Sequence, residues 1–357
     1  MSYFRENIEK TQGYTPGFQP KAEKVIKLNT NENPYPPSPK VMQALANMRP
    51  EKLRRYPQPA GDDFRQAAAE VLGVKPDNIM CSNGGDDLLN IAIRSFCDQL
   101  RPLAYPTPTY SLYPELANLQ STPVIEVPFN DNYELPENLA DVTAALTIVC
   151  NPNAPSATLI SKDKIAKLAG NLKGVLLIDE AYVDFAENNC ISLINDFDNV
   201  IILRSLSKGY SLAGIRFGFA LACKSLIDGM MKVKDSYNVD AVAIEVATQA
   251  IKDQTYFKEN VQKVKADRKI LTEKLRALGF IVTDSSTNFV FAQNPKADEI
   301  YNRLIEKNIY VRYFKNLPGL GDKLRITVGT AQQNQILIDA LKEILSEKGY
   351  SYEKQNR

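Results

Sequence analysis

The sequence predicts an α/β fold: a large domain built on a mostly parallel sheet, followed by a smaller α+β domain. Two patterns predict it. Between residues 79 and 221, short β-branched runs alternate with amphipathic stretches, as strand–helix–strand units do when helices cover a parallel sheet. After a helical region ending at Leu278-Gly279, the pattern changes to short strands separated by two helices. A chain of 357 residues is long enough to bury a core in each domain.

In chain order, strands are expected at 79–81, 103–105, 124–127, 146–150, 175–178, 200–203 and 217–221, each an apolar run flanked by polar or turn residues. Helices are expected at 86–96, 110–119 and 161–168, with Asp86 or its neighbour as one N-cap and Ser161 opening another. The region 241–278 reads as helical, with Gly279 at the C′ position. Strands then follow at 280–283, 288–292, 310–313 and 324–328, and helices at 298–307 and 332–346. Residues 351–357 are polar and are expected to fray. Proline clusters at 34–39, 57–59 and 106–108 fix extended backbone and are expected to shape loops over a site. The resulting division is an N-terminal arm (1–40) belonging to the small domain, a large domain (41–250) and a C-terminal small domain (251–357).

Composition excludes several classes of function. Lys and Arg number 43 against 42 Asp and Glu, so no bulk field favours nucleic acid or an anionic membrane. The segment Met1–Lys10 carries acidic residues and has no apolar core, so a signal peptide is not expected. No apolar run approaches the length of a membrane span, and a soluble, cytoplasmic protein is expected. The five cysteines are widely spaced and form no C-x-x-C pair, which argues against a disulfide framework or a zinc ribbon. Histidine is absent altogether. That removes Ser-His and Cys-His catalysis and every histidine metal site, and no metal centre is expected.

The chemistry concentrates in Arg204-Ser-Leu-Ser-Lys-Gly-Tyr-Ser-Leu-Ala-Gly-Ile-Arg216, entered from the apolar run Val200-Ile-Ile-Leu203. Lys208 has the setting of a Schiff-base lysine, which needs a desolvated pocket and nearby cations. Ser205, Ser207 and Arg216 supply hydroxyls and a guanidinium fork suited to a phosphate. Taken alone, Lys208 reads equally well as a surface lysine in a Ser/Gly-rich turn. Asp179 ends a second apolar run, and ligands in open α/β sheets sit at the carboxyl ends of strands. A carboxylate there keeps a pyridine nitrogen protonated and makes the ring an electron sink, while Tyr182 could donate to a ring oxygen. The competing reading of Asp179-Glu180 is a turn or helix cap. Asn83-Gly-Gly-Asp-Asp87 follows an apolar run and opens a helix, so its backbone N–H groups could meet an anion. Tyr110 could stack on a flat ring or be an ordinary core tyrosine.

Taken together, the order and spacing of these residues resemble the fold-type I pyridoxal-phosphate aminotransferases, and within them the histidinol-phosphate aminotransferase family. The matching segments run nearly end to end. They include Tyr14-Thr-Pro-Gly17, Lys27-Leu-Asn-Thr-Asn-Glu-Asn-Pro34, Arg55-Tyr-Pro57, Asn83-Gly-Gly-Asp-Asp87, Asn151-Pro-Asn153, Asp179-Glu-Ala-Tyr182, Ser205-Leu-Ser-Lys-Gly209, Thr287-Asn-Phe289 and Leu324-Arg-Ile-Thr-Val-Gly-Thr330.

The resemblance implies a seven-stranded, mostly parallel sheet, a small α+β domain and pyridoxal 5′-phosphate as cofactor. It implies that Lys208 forms the Schiff base, Asp179 pairs with the pyridine nitrogen, Tyr182 bonds the ring oxygen and Tyr110 stacks on the ring. Gly85, Asp86, Ser205, Ser207 and Arg216 would hold the phosphate. Tyr56 would reach it from the other subunit of a homodimer with shared sites. Tyr14, Asn29, Arg312 and Arg325 would face the substrates, with Arg325 on a carboxylate and Arg312 on a substrate phosphate. The implied reaction moves an amino group between histidinol phosphate and 2-oxoglutarate or glutamate. Threonine-phosphate decarboxylation and aromatic amino-acid transamination are alternatives on the same scaffold, and a non-catalytic binding protein is a third.

The chain departs from the family pattern at two positions. Ala154 stands where an asparagine usually bonds the ring oxygen, so either Asn153 shifts in or Tyr182 bonds that oxygen alone. Ala157 stands where glycine is usual, which implies a turn that does not need positive φ.

Overall fold

In the computed structural model, residues 2–11, 13, 17–20, 25–315 and 317–346 are described. Tyr14 and the 351–357 tail lie outside them. The strands are β1 (Ile26–Leu28), β2 (Ile79–Ser82), β3 (Leu103–Thr107), β4 (Val124–Pro128), β5 (Leu146–Cys150), β6 (Val175–Asp179), β7 (Val200–Ser205), β8 (Gly218–Ala222), β9 (Ile281–Val282), β10 (Phe289–Gln293), β11 (Ile309–Tyr313) and β12 (Lys323–Thr327).

Seven of them form one sheet in the order β2-β8-β7-β6-β5-β3-β4. From β7 through β6, β5 and β3 to β4 every pairing is parallel; β8 alone runs against its neighbours, β7 and β2. Burial on both faces explains why these strands read as continuous apolar runs. Successive residues of β6 and β7 feed two different cores: Leu176, Ile178, Val200 and Ile202 pack into one, Leu177, Ile201 and Leu203 into the other. The alternation follows from side chains pointing to opposite faces along a strand.

The second sheet has the order β1-β11-β12-β10-β9. β1, which periodicity did not reveal, pairs in parallel with β11. Three residues with one lysine among them are too short for a period-2 signal. The pairing carries the N-E-N-P segment from the small sheet to the large domain's edge.

Local physics sets most helix boundaries. Ser161 caps Lys162–Asn171 by accepting from the Lys164 N–H at 3.4 Å. Gly84, at φ 86°, is the N-cap of Gly85–Phe96, so Asp86 lies inside the first turn instead of capping it. The 241–278 region is two helices, Ala241–Lys252 and Gln254–Ala277, broken at Asp253. Gly279 follows at φ 84°, as a C′ glycine should. Ala157 corrects an expectation: it adopts φ 66° and is fully buried. The turn keeps its left-handed geometry because its N–H bonds to the Asn153 carbonyl at 2.9 Å and its carbonyl accepts from Ser286 at 2.9 Å. A Cβ in that region costs about 1 kcal/mol.

Candidate functional site

Adjacent parallel strands bring the key groups to one edge of the large sheet. In register, Asp179 on β6 faces Cys150 on β5 and Leu203 on β7, and the chain leaving β7 reaches Lys208 five residues on from Leu203. Both side chains therefore project where ligands bind in such sheets.

Asp179 is 4% exposed. Its Oδ2 accepts from the Tyr113 hydroxyl at 2.7 Å, and its Oδ1 accepts from the Ala181 N–H at 3.1 Å. Burial pushes the carboxyl up to about 6, with those two hydrogen bonds pulling the other way. Lys208 Nζ donates to the Thr30 carbonyl at 3.3 Å and lies 5.6 Å from the centre of the Tyr182 ring. Burial first, then Arg325, bring its amine down to about 8, so a usable neutral fraction exists near pH 7.

The backbone of the lysine loop is held from two sides. Asn33 Nδ2 donates to the Lys208 carbonyl at 3.0 Å and to the Gly209 carbonyl at 3.3 Å. On the other side, the half-buried Asp184 accepts from the Gly209 backbone and is bridged to Glu180 by Arg204: Nη1 to Asp184 at 3.3 Å, Nε to Glu180 at 2.8 Å. A Cβ on Gly209 would stand 2.2 Å from Asp184 Oδ2. Gly209→Ala is therefore expected to displace Lys208 and lower turnover by about 10²-fold, the scale of a misplaced catalytic group. Steady-state rates with an unchanged far-ultraviolet dichroism spectrum would check it.

A second cluster lies beside the first. Arg216, at φ 55°, sends Nη1 to Ser207 Oγ at 3.5 Å and Nη2 to Asp86 Oδ2 at 3.1 Å. Tyr110 donates to Asp86 Oδ1 at 3.2 Å, and the Ser207 N–H to Ser205 Oγ at 3.1 Å. A Cβ on Gly84 would meet Arg216 Nη2 at 2.9 Å, so only glycine lets the guanidinium lie against the start of the Gly85–Phe96 helix. Arginine, two serines and a helix N-terminus make a set of donors suited to a phosphate dianion.

Tyr182 packs edge-on to Phe289, centroids 5.1 Å apart at 85°, and its oxygen accepts from Asn31 Nδ2 at 3.0 Å. Burial raises its hydroxyl to about 12, so it is a proton donor at neutral pH. Asn153 is fully buried, but its amide is committed to the neighbouring loop. It accepts from Thr109 at 2.8 Å and donates to Ser156 at 2.8 Å and the Pro108 carbonyl at 3.2 Å.

On the small-domain side, Arg312 and Arg325 are cross-strand partners. Both guanidinium carbons lie 5.8 Å from the Phe314 ring, and that of Arg325 is 5.3 Å from Phe289. Arg325 also donates to the Asn29 carbonyl at 3.1 Å, while Asn29 donates to the Phe18 carbonyl at 2.7 Å. Tyr56 stands apart from these groups, 80% exposed and stacked on Tyr237 with centroids 4.5 Å apart.

Motif reading had assigned no role to Tyr113, Asn31, Asn33 or Arg204. Tyr113 could have been suspected, since it follows Tyr110 by three residues within the stretch expected to be helical, although the helix itself starts at Leu112. The asparagines carried no signal beyond their place in N-E-N-P.

Residues 23–341 match the family model described as aminotransferase class I and II. The chain belongs to that family. Among curated relatives of this aminotransferase, histidinol-phosphate aminotransferase 1 from Nostoc sp. is 49% identical, over 97% of this chain and 99% of the relative. Histidinol-phosphate aminotransferase from Rhodopirellula baltica is 44% identical, covering 92% of each. A crystal structure of histidinol-phosphate aminotransferase from Sinorhizobium meliloti, in complex with pyridoxal-5′-phosphate, superposes with a TM-score of 0.89 at 26% identity, covering 97% of this chain and 98% of that one. L-threonine-O-3-phosphate decarboxylase from Porphyromonas gingivalis shares the fold, with a TM-score of 0.79 at 23% identity. No helix among the described residues of this aminotransferase is long and apolar enough to cross a membrane.

Proposed function

We propose that this aminotransferase exchanges an amino group between L-histidinol phosphate and 2-oxoglutarate, in histidine biosynthesis, with pyridoxal 5′-phosphate held between Asp179 and Lys208. The observation that carries the reading is the juxtaposition of a buried carboxylate and a desolvated lysine at the ends of adjacent strands, beside an arginine and a helix N-terminus. The donor set suits the cofactor: an acid for a ring nitrogen, a phenol for a ring oxygen, an amine for an aldehyde and a cradle for a phosphate.

When bound, the cofactor supplies an electron-poor ring that stabilises negative charge on the carbon losing its proton. Asp179 holds the proton on the ring nitrogen. Tyr182 donates its hydroxyl proton to the ring oxygen, and Tyr110 covers a ring face. Arg216, Ser205, Ser207 and the N–H groups of Gly85 and Asp86 hold the phosphate. Lys208 Nζ would hold the cofactor's aldehyde carbon, and its free amine is placed to take the proton from the substrate's amine-bearing carbon as a general base. Arg312 and Arg325 face the anionic ends of the substrates, because a guanidinium fork fits a phosphate and a carboxylate alike. Asn29 supports Arg325 through its carbonyl. Tyr56, being exposed, is suited to reach the phosphate of the other subunit in a homodimer. Four of the five free cysteines are buried, consistent with a reducing, cytoplasmic setting.

Incubation of the cofactor-loaded protein with histidinol phosphate and 2-oxoglutarate is expected to yield glutamate in step with amine consumed. Carbon dioxide release from threonine phosphate, without that transamination, would replace this reading with the decarboxylase.

A further inference from the structure

Asn31 is 1% exposed and sits in the left-handed region at φ 57°. Three hydrogen bonds tie it to the small-domain sheet. Its N–H donates to Thr327 Oγ1 at 3.0 Å, its Oδ1 accepts from that hydroxyl at 3.2 Å, and its carbonyl accepts from Asn288 Nδ2 at 2.9 Å. In this arrangement the threonine hydroxyl receives the Asn31 N–H and gives its own proton to the Asn31 amide oxygen. That orientation leaves the NH₂ group pointing at Tyr182, whose oxygen it meets at 3.0 Å.

A phenol has one proton. With Asn31 donating to the Tyr182 oxygen, that proton is free to be given to another acceptor. The neighbourhood offers little else to orient it. Ala154, buried in the same cluster as Phe289 and Tyr182, has no polar side-chain atom, and Asn153 is spent on Thr109, Pro108 and Ser156. Among the described residues no other side chain hydrogen-bonds to Tyr182.

We propose that Asn31 is a positioning residue that fixes the direction of the Tyr182 proton, and that it couples this proton to the placement of the small domain. In this role Asn31 acts through Tyr182. The coupling follows from connectivity. Asn31 is anchored to β12 and the residue before β10, whereas Tyr182 follows β6 of the large sheet. A shift of one domain against the other lengthens this bond. The lysine is reached from the same segment, through the Thr30 carbonyl and Asn33.

This inference rests on the function proposed above, and its test keeps the two apart. Asn31→Gly removes the amide without backbone strain, because glycine adopts φ near +57° freely. A less well oriented hydroxyl leaves the cofactor's ring oxygen more basic, which keeps the adjacent cofactor-bound Lys208 nitrogen protonated to higher pH. The midpoint of the pH titration of the cofactor's visible absorbance is expected to rise by about 0.5–1 pH unit, the size of one hydrogen bond. Asn31→Asp, which keeps the bond from Thr327, should move it the same way and serves if the glycine variant does not load cofactor. In a Tyr182→Phe background Asn31→Gly should add no further shift.

A purely structural role predicts a lower melting temperature with the midpoint unmoved in both variants; that result, or an equal shift without the Tyr182 hydroxyl, overturns the proposal. Failure of the wild-type protein to acquire the visible band would instead refute cofactor binding itself.

Discussion

Lys208→Ala is expected to reduce transamination by at least about 10³-fold and to abolish the visible absorbance that the loaded protein acquires through its lysine. Alanine offers neither an amine to bond the aldehyde carbon nor a base for the substrate's α-proton. A variant with more than a tenth of wild-type activity would refute the assignment.

The same lysine makes a prediction about pH. Burial holds its amine near 8, against 10.5 for the unperturbed side chain, so capture of the cofactor by the apo-protein should accelerate as pH rises through about 8 and level off above it. The sign for stability agrees. Between about 8 and 10.5 the unfolded chain binds the proton and the folded chain does not, so this residue's contribution to apo-protein stability grows with pH across that window. Stopped-flow absorbance reads the first effect and denaturant melts at several pH values the second.

Asp179→Asn is expected to lower turnover by about 10²–10³-fold, the scale lost when one preorganised electrostatic partner is removed. Asparagine keeps the shape and can still meet Tyr113 and the Ala181 N–H, but it cannot hold a ring nitrogen in its protonated form by charge. The apo-protein should respond in the opposite sense. Burial raises the Asp179 carboxyl from 3.8 to about 6, so the folded chain binds the extra proton between these values. Its stabilising contribution is full below about 3.8 and is lost as pH rises through about 6. At pH 7 an ionised, buried Asp179 is a standing cost in the apo-protein, which a positively charged ring would offset. Apo Asp179→Asn should therefore melt higher than apo wild type at pH 7, while gaining less on cofactor addition. Paired melting curves with and without cofactor check both halves; a lower apo melting point for the variant would contradict the sign.

Much of this arrangement was readable from residues in line. The strands from β2 to β8 were visible because a parallel sheet covered on both faces needs unbroken apolar runs, and turn residues mark where those runs stop. Lys208, Asp179, Tyr182 and Arg216 were visible because each sits just beyond or near such a run, in the order typical of the aminotransferase family. Other features were not. β1 is three residues long and is a strand only because β11 offers it an edge. Ala157 holds a backbone conformation that its side chain disfavours, because bonds to Asn153 and Ser286 outweigh the local preference.

By itself, then, the sequence determined the layered α/β fold and the family, and it singled out the groups proposed to do the chemistry. Those properties depend on local pattern and residue type, which are written along the chain. Only the tertiary structure decided the partners: Tyr113 against Asp179, Arg204 between Glu180 and Asp184, and Asn31 against Tyr182 across 151 residues of chain. Hydrogen bonds and burial are properties of atoms brought within about 3 Å by the folding of distant segments onto one another. No spacing in one dimension encodes that distance, which is why the lysine could be named from the sequence and its tuning could not.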